Sequence, residues 1–123
     1  QAGISSRREN VDGATAAKLR FNNFWQLEFQ CIYSIGTMAD YRGALIPVIS
    51  QLIRKTTGGL PVRTVESDRL PSYSESTIDI ECAWNGKWFE VASCSIRTDF
   101  DDKTRVAEIA IGLDRVVSIA CNM

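Results

Sequence analysis

A chain of 123 residues, 45% hydrophobic and 24% charged, is long enough for one small domain with a real core and has an ordinary globular balance. A formal net charge of −1 excludes an overall basic field for nucleic acid, although a local basic patch stays open. There is no histidine, which removes Ser-His and Cys-His nucleophiles and imidazole metal sites, so any catalysis rests on carboxylates, arginines, backbone groups and a hard cation such as magnesium.

Four cysteines (Cys31, Cys82, Cys94 and Cys121) are widely spaced and form no CxxC. That fits reduced, buried thiols in an intracellular protein, with a disulfide still open. The apolar runs are too short to span a bilayer and no signal peptide is visible. The expected location is cytoplasmic, or organellar.

Residues 1–9 (QAGISSRRE) read as a short strand ending in charge, and a chain that opens directly in such an element suggests a fragment of something longer. Residues 10–19, with Asp12-Gly13, read as a turn between antiparallel strands that brings Arg7, Glu9 and Arg20 together. The next stretch, Arg20 to Tyr33, alternates with a period of two. Phe21, Trp25, Leu27, Phe29, Cys31 and Tyr33 fall on one face, expected to be core. Arg20, Asn22, Phe24, Gln26, Glu28 and Gln30 fall on the other. A lone aromatic, Phe24, between Arg20 and Glu28 suits a flat ligand, with Arg20 neutralising an anion and Glu28 pairing a cation. A solvated strand face with one stray aromatic accounts for the same pattern.

Residues 37–56 have helical spacing at Tyr41, Leu45, Val48, Ile49, Leu52 and Ile53, with Thr37 as the expected N-cap. Gly43 and Pro47 weaken its first half, and Gly58-Gly59 ends it. A core-covering helix with no chemistry is the expectation. Residues 60–65 read as a short strand and 66–75 as a polar loop. Within 76–96, Asn85-Gly86 between alternating segments predicts a type I′ hairpin. Its register sets Trp84 opposite Lys87, Cys82 opposite Phe89 and Ile80 opposite Val91, and puts Glu81 opposite Glu90 with Asp79 one step along. Like charges facing each other need an offset, either a bound cation or a lysine or arginine partner. Residues 97–105 read as a charged link. Residues 106–111 read as a strand, Gly112 as a pivot open to close ligand approach, and 113–122 as a helix with Leu113, Val116, Val117 and Ala120 inward. Arg115 in the first turn is poorly matched to the helix dipole and so points to an anionic partner.

Three of these segments together resemble the catalytic core of the class II aminoacyl-tRNA synthetases. QAGISSRRE with RFNNFWQLE resembles motif 2 through Arg7, Glu9, Arg20 and Phe24 in order. EIAIGLDRVV resembles motif 3 through Gly112, Leu113 and Arg115. EVASCSIRTDF resembles the strand carrying metal and ATP ligands in the seryl, prolyl, threonyl and glycyl subclass. The resemblance implies an α+β fold, a mainly antiparallel sheet of about five or six strands flanked by helices. Helices 37–56 and 113–122 would pack on one face and the ligand site would lie on the other. It also implies that 1–123 is a single catalytic domain, complete or truncated.

On the same resemblance, Arg7 would hold the α-phosphate of ATP, Glu9 would contact the adenine amino group and Arg20 would reach the terminal phosphates. Phe24 and Arg115 would sandwich adenine, with Arg115 also at the γ-phosphate. Glu90, with Ser93 or a bridging water, would carry magnesium. Glu28 would face the substrate amino group, alongside Gln26, Ser95 and Gly112. Ser93 is out of phase with Glu90 in a regular strand, so its role requires a bulge.

Motif 1 and an anticodon-binding domain have no counterpart in these residues. RTDFD and TIDIE look like the glycyl enzymes and EVASCS like the seryl ones; the overall pattern favours glycyl, although Ala92 and Ala110 stand where glycine-recognising side chains belong. The implied partners are an amino acid, ATP and tRNA, with association into a homodimer or with further chain segments. A non-catalytic synthetase-like accessory or regulatory protein, such as a polymerase accessory subunit, is the alternative from another class. An amino acid:carrier-protein ligase is a third, and a plain α+β domain a fourth.

Overall fold

Alternating stretches yield six strands, and the two stretches of helical spacing yield two helices. In chain order they are β1 (Ala2–Ser6), β2 (Asn23–Ser34), α1 (Tyr41–Thr56), β3 (Val62–Glu66), β4 (Ser74–Trp84), β5 (Lys87–Asp101), β6 (Thr104–Gly112) and α2 (Leu113–Cys121). The computed structural model describes residues 1–6, 23–67, 70 and 72–121. The expected 10–19 turn lies outside them, as do Arg7, Glu9 and Arg20. The strands form one sheet in the order β1-β2-β6-β5-β4-β3, with every neighbouring pair antiparallel. This is the α+β architecture expected.

Asn85 and Gly86 take φ of 51° and 73°, as a type I′ turn requires, and join β4 to β5. Trp84 faces Lys87, Cys82 faces Phe89 and Glu81 faces Glu90, as the turn dictates. The register then shifts by one. Ile80 faces Ala92 rather than Val91, and Asp79 faces Ser93. Val91 is the extra residue of a β-bulge, and both Val91 and Ala92 are buried.

The core lies on one side of the sheet. Ile49 and Ile53 of α1 and Val116 and Ile119 of α2 pack on Ile80, Cys82, Ala92, Cys94, Ile109 and Ile111. Ile53, Ile80, Ile109 and Ile119 are fully buried, and each such side chain contributes roughly 1.5–3 kcal/mol. Val117, expected inward, is exposed, and the buried positions are Val116 and, three residues on, Ile119.

α1 begins at Tyr41 rather than Thr37 because Asp40 caps it, its carboxylate accepting from the Gly43 N–H at 2.9 Å. A Cβ at Gly43 would collide with that carboxylate, so this glycine serves the cap. Pro47 lies inside the helix, and Gly58 and Gly59, both with positive φ, close it. The segment 97–105 is not a link: β5 runs to Asp101 and β6 starts at Thr104. No helix among the described residues is long and apolar enough to cross a membrane.

Two expectations about burial change. Trp25 and Phe29, on the core face of β2, stay 49% and 40% exposed, because the helices cover β5 and β6 more fully than β2. All four cysteines are free, but only Cys82 and Cys94 are buried; Cys31 is half-buried and Cys121 exposed.

Candidate functional site

The sheet face opposite the helices is polar, and antiparallel pairing aligns its side chains in rows. Glu28, Ala110, Ser93 and Asp79 stand side by side across β2, β6, β5 and β4. One row along, Gln30, Glu108, Ser95 and Thr77 do the same. In the other direction Gln26 faces Gly112, and Glu81 faces Glu90. In the middle rows the central strands thus carry small residues (Gly112, Ala110 and Ser93) between Gln26 and Glu28 of β2 and Asp79 of β4, with Glu90 of β5 and Glu108 of β6 toward the two ends. The result is a trough running along β5 and β6.

The bulge at Val91 gives this trough one of its walls. In an unbroken strand Glu90 and Ser93 would point to opposite faces. With Val91 extra, Glu90 pairs with Glu81 and Ser93 with Asp79, and both partners lie on the polar face of β4. Glu90 and Ser93 therefore share a face, the arrangement that magnesium binding by the two requires. Glu81 is ion-paired to Arg63 of β3 at 2.7 Å, and the Arg63 guanidinium stacks 4.2 Å from the Trp88 ring. From the β3 side, Arg63 thus offsets part of the like charge of Glu81 and Glu90. Among the described residues no group of three or more Cys, Asp or Glu is arranged to hold a metal.

At one end of the trough α2 begins. Arg115 donates from Nη1 to the Glu90 carbonyl at 2.6 Å. The Trp25 backbone N–H donates to the Asp114 carboxylate, tying the start of α2 to the β2 residue next to Phe24. Phe24 is half-buried and faces Ser5 of β1. These two ties set the start of α2 at the end of the sheet where Phe24 lies on β2 and Glu90 on β5. Gly112 forms the floor beside them. Among the described residues a Cβ there would meet only the Val91 carbonyl, at an ordinary 3.8 Å, so their packing does not demand a glycine. Beside Gln26 and Glu28, on the β1 side, lies a shallow, open depression that Gln1, Gly3 and Ile4 also line. The Glu28 carboxylate has no hydrogen bond or ion pair among the described residues.

The other end is closed. Glu108, only 8% exposed, accepts from Gln30 Nε2 at 2.8 Å and from Arg97 Nη1 at 2.9 Å. Arg97 also binds Asp99 through two nitrogens, at 3.0 and 2.6 Å, and lies 4.3 Å over the Tyr73 ring. These hydrogen bonds hold Arg97 well above and Asp99 below their ordinary ranges. Ser95, expected at the substrate, is 4% exposed, and its hydroxyl is engaged with Thr77 at 3.1 Å. Ala92 lies in the core, so of the two alanines singled out only Ala110 is in the trough. The sequence reading missed Glu108 and Arg97. A single acidic residue inside the apolar run VAEIAI was the available signal.

No family model matches the chain. It is 30% identical over 90 residues to the phenylalanine–tRNA ligase alpha subunit of Nostoc punctiforme, and equally to that of Nostoc sp.. The matched stretch covers 73% of this chain and 24% of each relative, so the chain spans about a quarter of the length of the curated relatives it matches. The similarity is therefore to an aminoacyl-tRNA synthetase subunit, with no subclass of the glycyl or seryl kind singled out.

Proposed function

We propose that the chain is the catalytic core, or a segment of the core, of a class II aminoacyl-tRNA synthetase-like protein that activates an amino acid with ATP. The observation that carries this reading is the trough: a helix-free polar face with a bare floor, Glu90 and Ser93 brought together by a bulge, and Phe24 and Arg115 at one end. The similarity to synthetase alpha subunits supports it. Phe24 and Arg115 sandwich adenine in this reading. Gln26, Glu28 and Gly112 line the amino-acid side. Ser95 acts from beneath, through Thr77. Arg7, Glu9 and Arg20 hold the α-phosphate, the adenine amino group and the terminal phosphates. Glu90 and Ser93 would hold magnesium, whose charge offsets that of the phosphates.

The reaction joins a carboxylate oxygen of the amino acid to the α-phosphorus and breaks the α–β anhydride, releasing pyrophosphate. The attacking carboxylate is already ionised, so no general base is needed and the absence of histidine costs nothing. The protein's part is in-line positioning and cationic stabilisation of the phosphoryl charge.

tRNA is the proposed acceptor. Association with a second copy or with further chain segments is supported by Ile4, Trp25 and Phe29, apolar side chains left exposed on the helix side of the sheet. ATP–pyrophosphate exchange with magnesium, against a panel of single amino acids that includes glycine and phenylalanine, tests the reading, with Arg115→Ala as the control. Exchange driven by one amino acid and lost in the control is the expected result. Exchange that Arg115→Ala leaves intact would remove Arg115 from the nucleotide site.

A further inference from the structure

The closed end of the trough bears on which amino acid fits. The Glu28 row and the Glu108 row are two residues apart along their strands, about 7 Å. A side chain projecting from the Glu28–Ala110–Ser93 row toward the closed end meets Glu108 directly. That carboxylate cannot swing aside, because Gln30 and Arg97 both bond it, and Arg97 is fixed in turn by Asp99 and the Tyr73 ring. Beneath the same row, Ser95 and Thr77 satisfy each other's hydroxyls. Among the described residues the row next to it is Gln30, Glu108, Ser95 and Thr77, with no aliphatic or aromatic side chain in it. Val106 and Ile32 lie a row farther on, in the row of Arg97 itself and behind Glu108. Seating a benzyl or isobutyl group would lay it against a carboxylate already committed to Gln30 and Arg97 and strip water from the part-exposed Arg97 side chain, with no hydrogen bond in return.

Building on the activation reading above, we infer that this site takes an amino acid with a small side chain, hydrogen, methyl or hydroxymethyl, and that Glu108, braced by Arg97 and Gln30, is the residue that sets the limit. Glu108 acts as a specificity wall and not as a ligand of the reacting atoms. The relatives' names carry phenylalanine, so the inference separates this chain from them on a stated physical ground.

The test is the ranking of amino acids in ATP–pyrophosphate exchange by the full chain, with glycine, alanine and serine against leucine and phenylalanine. A small amino acid leading by about ten-fold or more is the expected result. Exchange led by phenylalanine or leucine overturns the inference and leaves the activation reading standing. Exchange with no amino acid overturns the activation reading and takes this inference with it. The Glu108→Ala/Arg97→Ala double variant removes both charges together, so neither is stranded. It should raise exchange with leucine relative to glycine by about ten-fold. An unchanged ranking in a folded double variant overturns the assignment of the limit to Glu108. Should the double variant fail to fold, the wild-type ranking alone decides the substrate class.

Discussion

Arg115 reaches back from the first turn of α2 to the carbonyl of Glu90, at 2.6 Å, and so fastens that helix to the residue immediately before the bulge. The contact explains why an arginine is accepted at a helix N-terminus, where the dipole disfavours it: a carbonyl oxygen outside the helix takes up part of its donor capacity. It also sets the guanidinium beside the strand expected to carry magnesium. Arg115→Ala should lower ATP–pyrophosphate exchange on the order of 100-fold, the scale for loss of one donor to developing phosphoryl charge. Its cost in stability should be about 1 kcal/mol, that of one ordinary hydrogen bond. Arg115→Lys should recover only part of the exchange, since an ammonium keeps the charge and loses the planar fork. A loss of exchange that merely tracks unfolding would show that Arg115 is structural.

Asp114 supplies the second tie at the same place, accepting the Trp25 backbone N–H. A carboxylate in the first turn also complements the helix dipole. Asp114→Ala should cost about 1–2 kcal/mol in urea unfolding, and Asp114→Asn less, because the amide oxygen still accepts. Nucleotide affinity should fall with it, since this tie is what sets β2 beside α2 near Phe24.

The hairpin and the core show what could be read in advance and what could not. Asn85-Gly86 determined the register as far as Glu81 facing Glu90, because a two-residue turn leaves no freedom. The reading failed at Val91, where simple alternation was carried through a bulge. Two adjacent apolar residues, Val91 and Ala92, break the alternation there, and both are buried. The polar face of β2 was legible because alternation fixes which residues share a face. What covers the other face was not legible, so Trp25 and Phe29 were read as core. The Arg63–Glu81 pair depends on β3 lying beside β4, and the Arg97–Glu108 pair on β5 lying beside β6. Pairings of that range are set by topology rather than by local pattern, and 97–105 looked like a link only because its charges mask a hairpin.

Acid should loosen the closed end first. Asp99 is exposed, and the Arg97 hydrogen bonds hold its carboxyl below the usual aspartate range. A lowered carboxylate stabilises the fold above its unfolded value, near about pH 4, and that contribution is lost as pH falls through the lowered value. Asp101, held down by the Lys103 N–H, acts in the same direction. Thermal unfolding followed from neutral pH into this acid window should show the midpoint falling. Asp99→Asn should start lower and fall less steeply, and a slope equal to wild type would mean that Asp99 is not the group being titrated.

Thiol reactivity should report the core directly. Burial pushes Cys94 up to about 12 and raises Cys82 as well, so both stay protonated near neutrality and are shielded from reagent. Cys121 is exposed at the end of α2, and Cys31 is half-buried on β2. With iodoacetamide on the native protein, mass spectrometry of peptides should find Cys121 modified first, Cys31 more slowly, and Cys82 and Cys94 only once denaturant is added. The order follows from layer geometry: α1 and α2 sit on the two inner cysteines, while Cys31 lies on the same face at β2, where the helices cover the sheet less fully. Modification of Cys94 at the rate of Cys121 would mean that the helices leave the sheet readily. In that case the trough on the opposite face would lack the rigid floor that precise placement of ATP and amino acid demands.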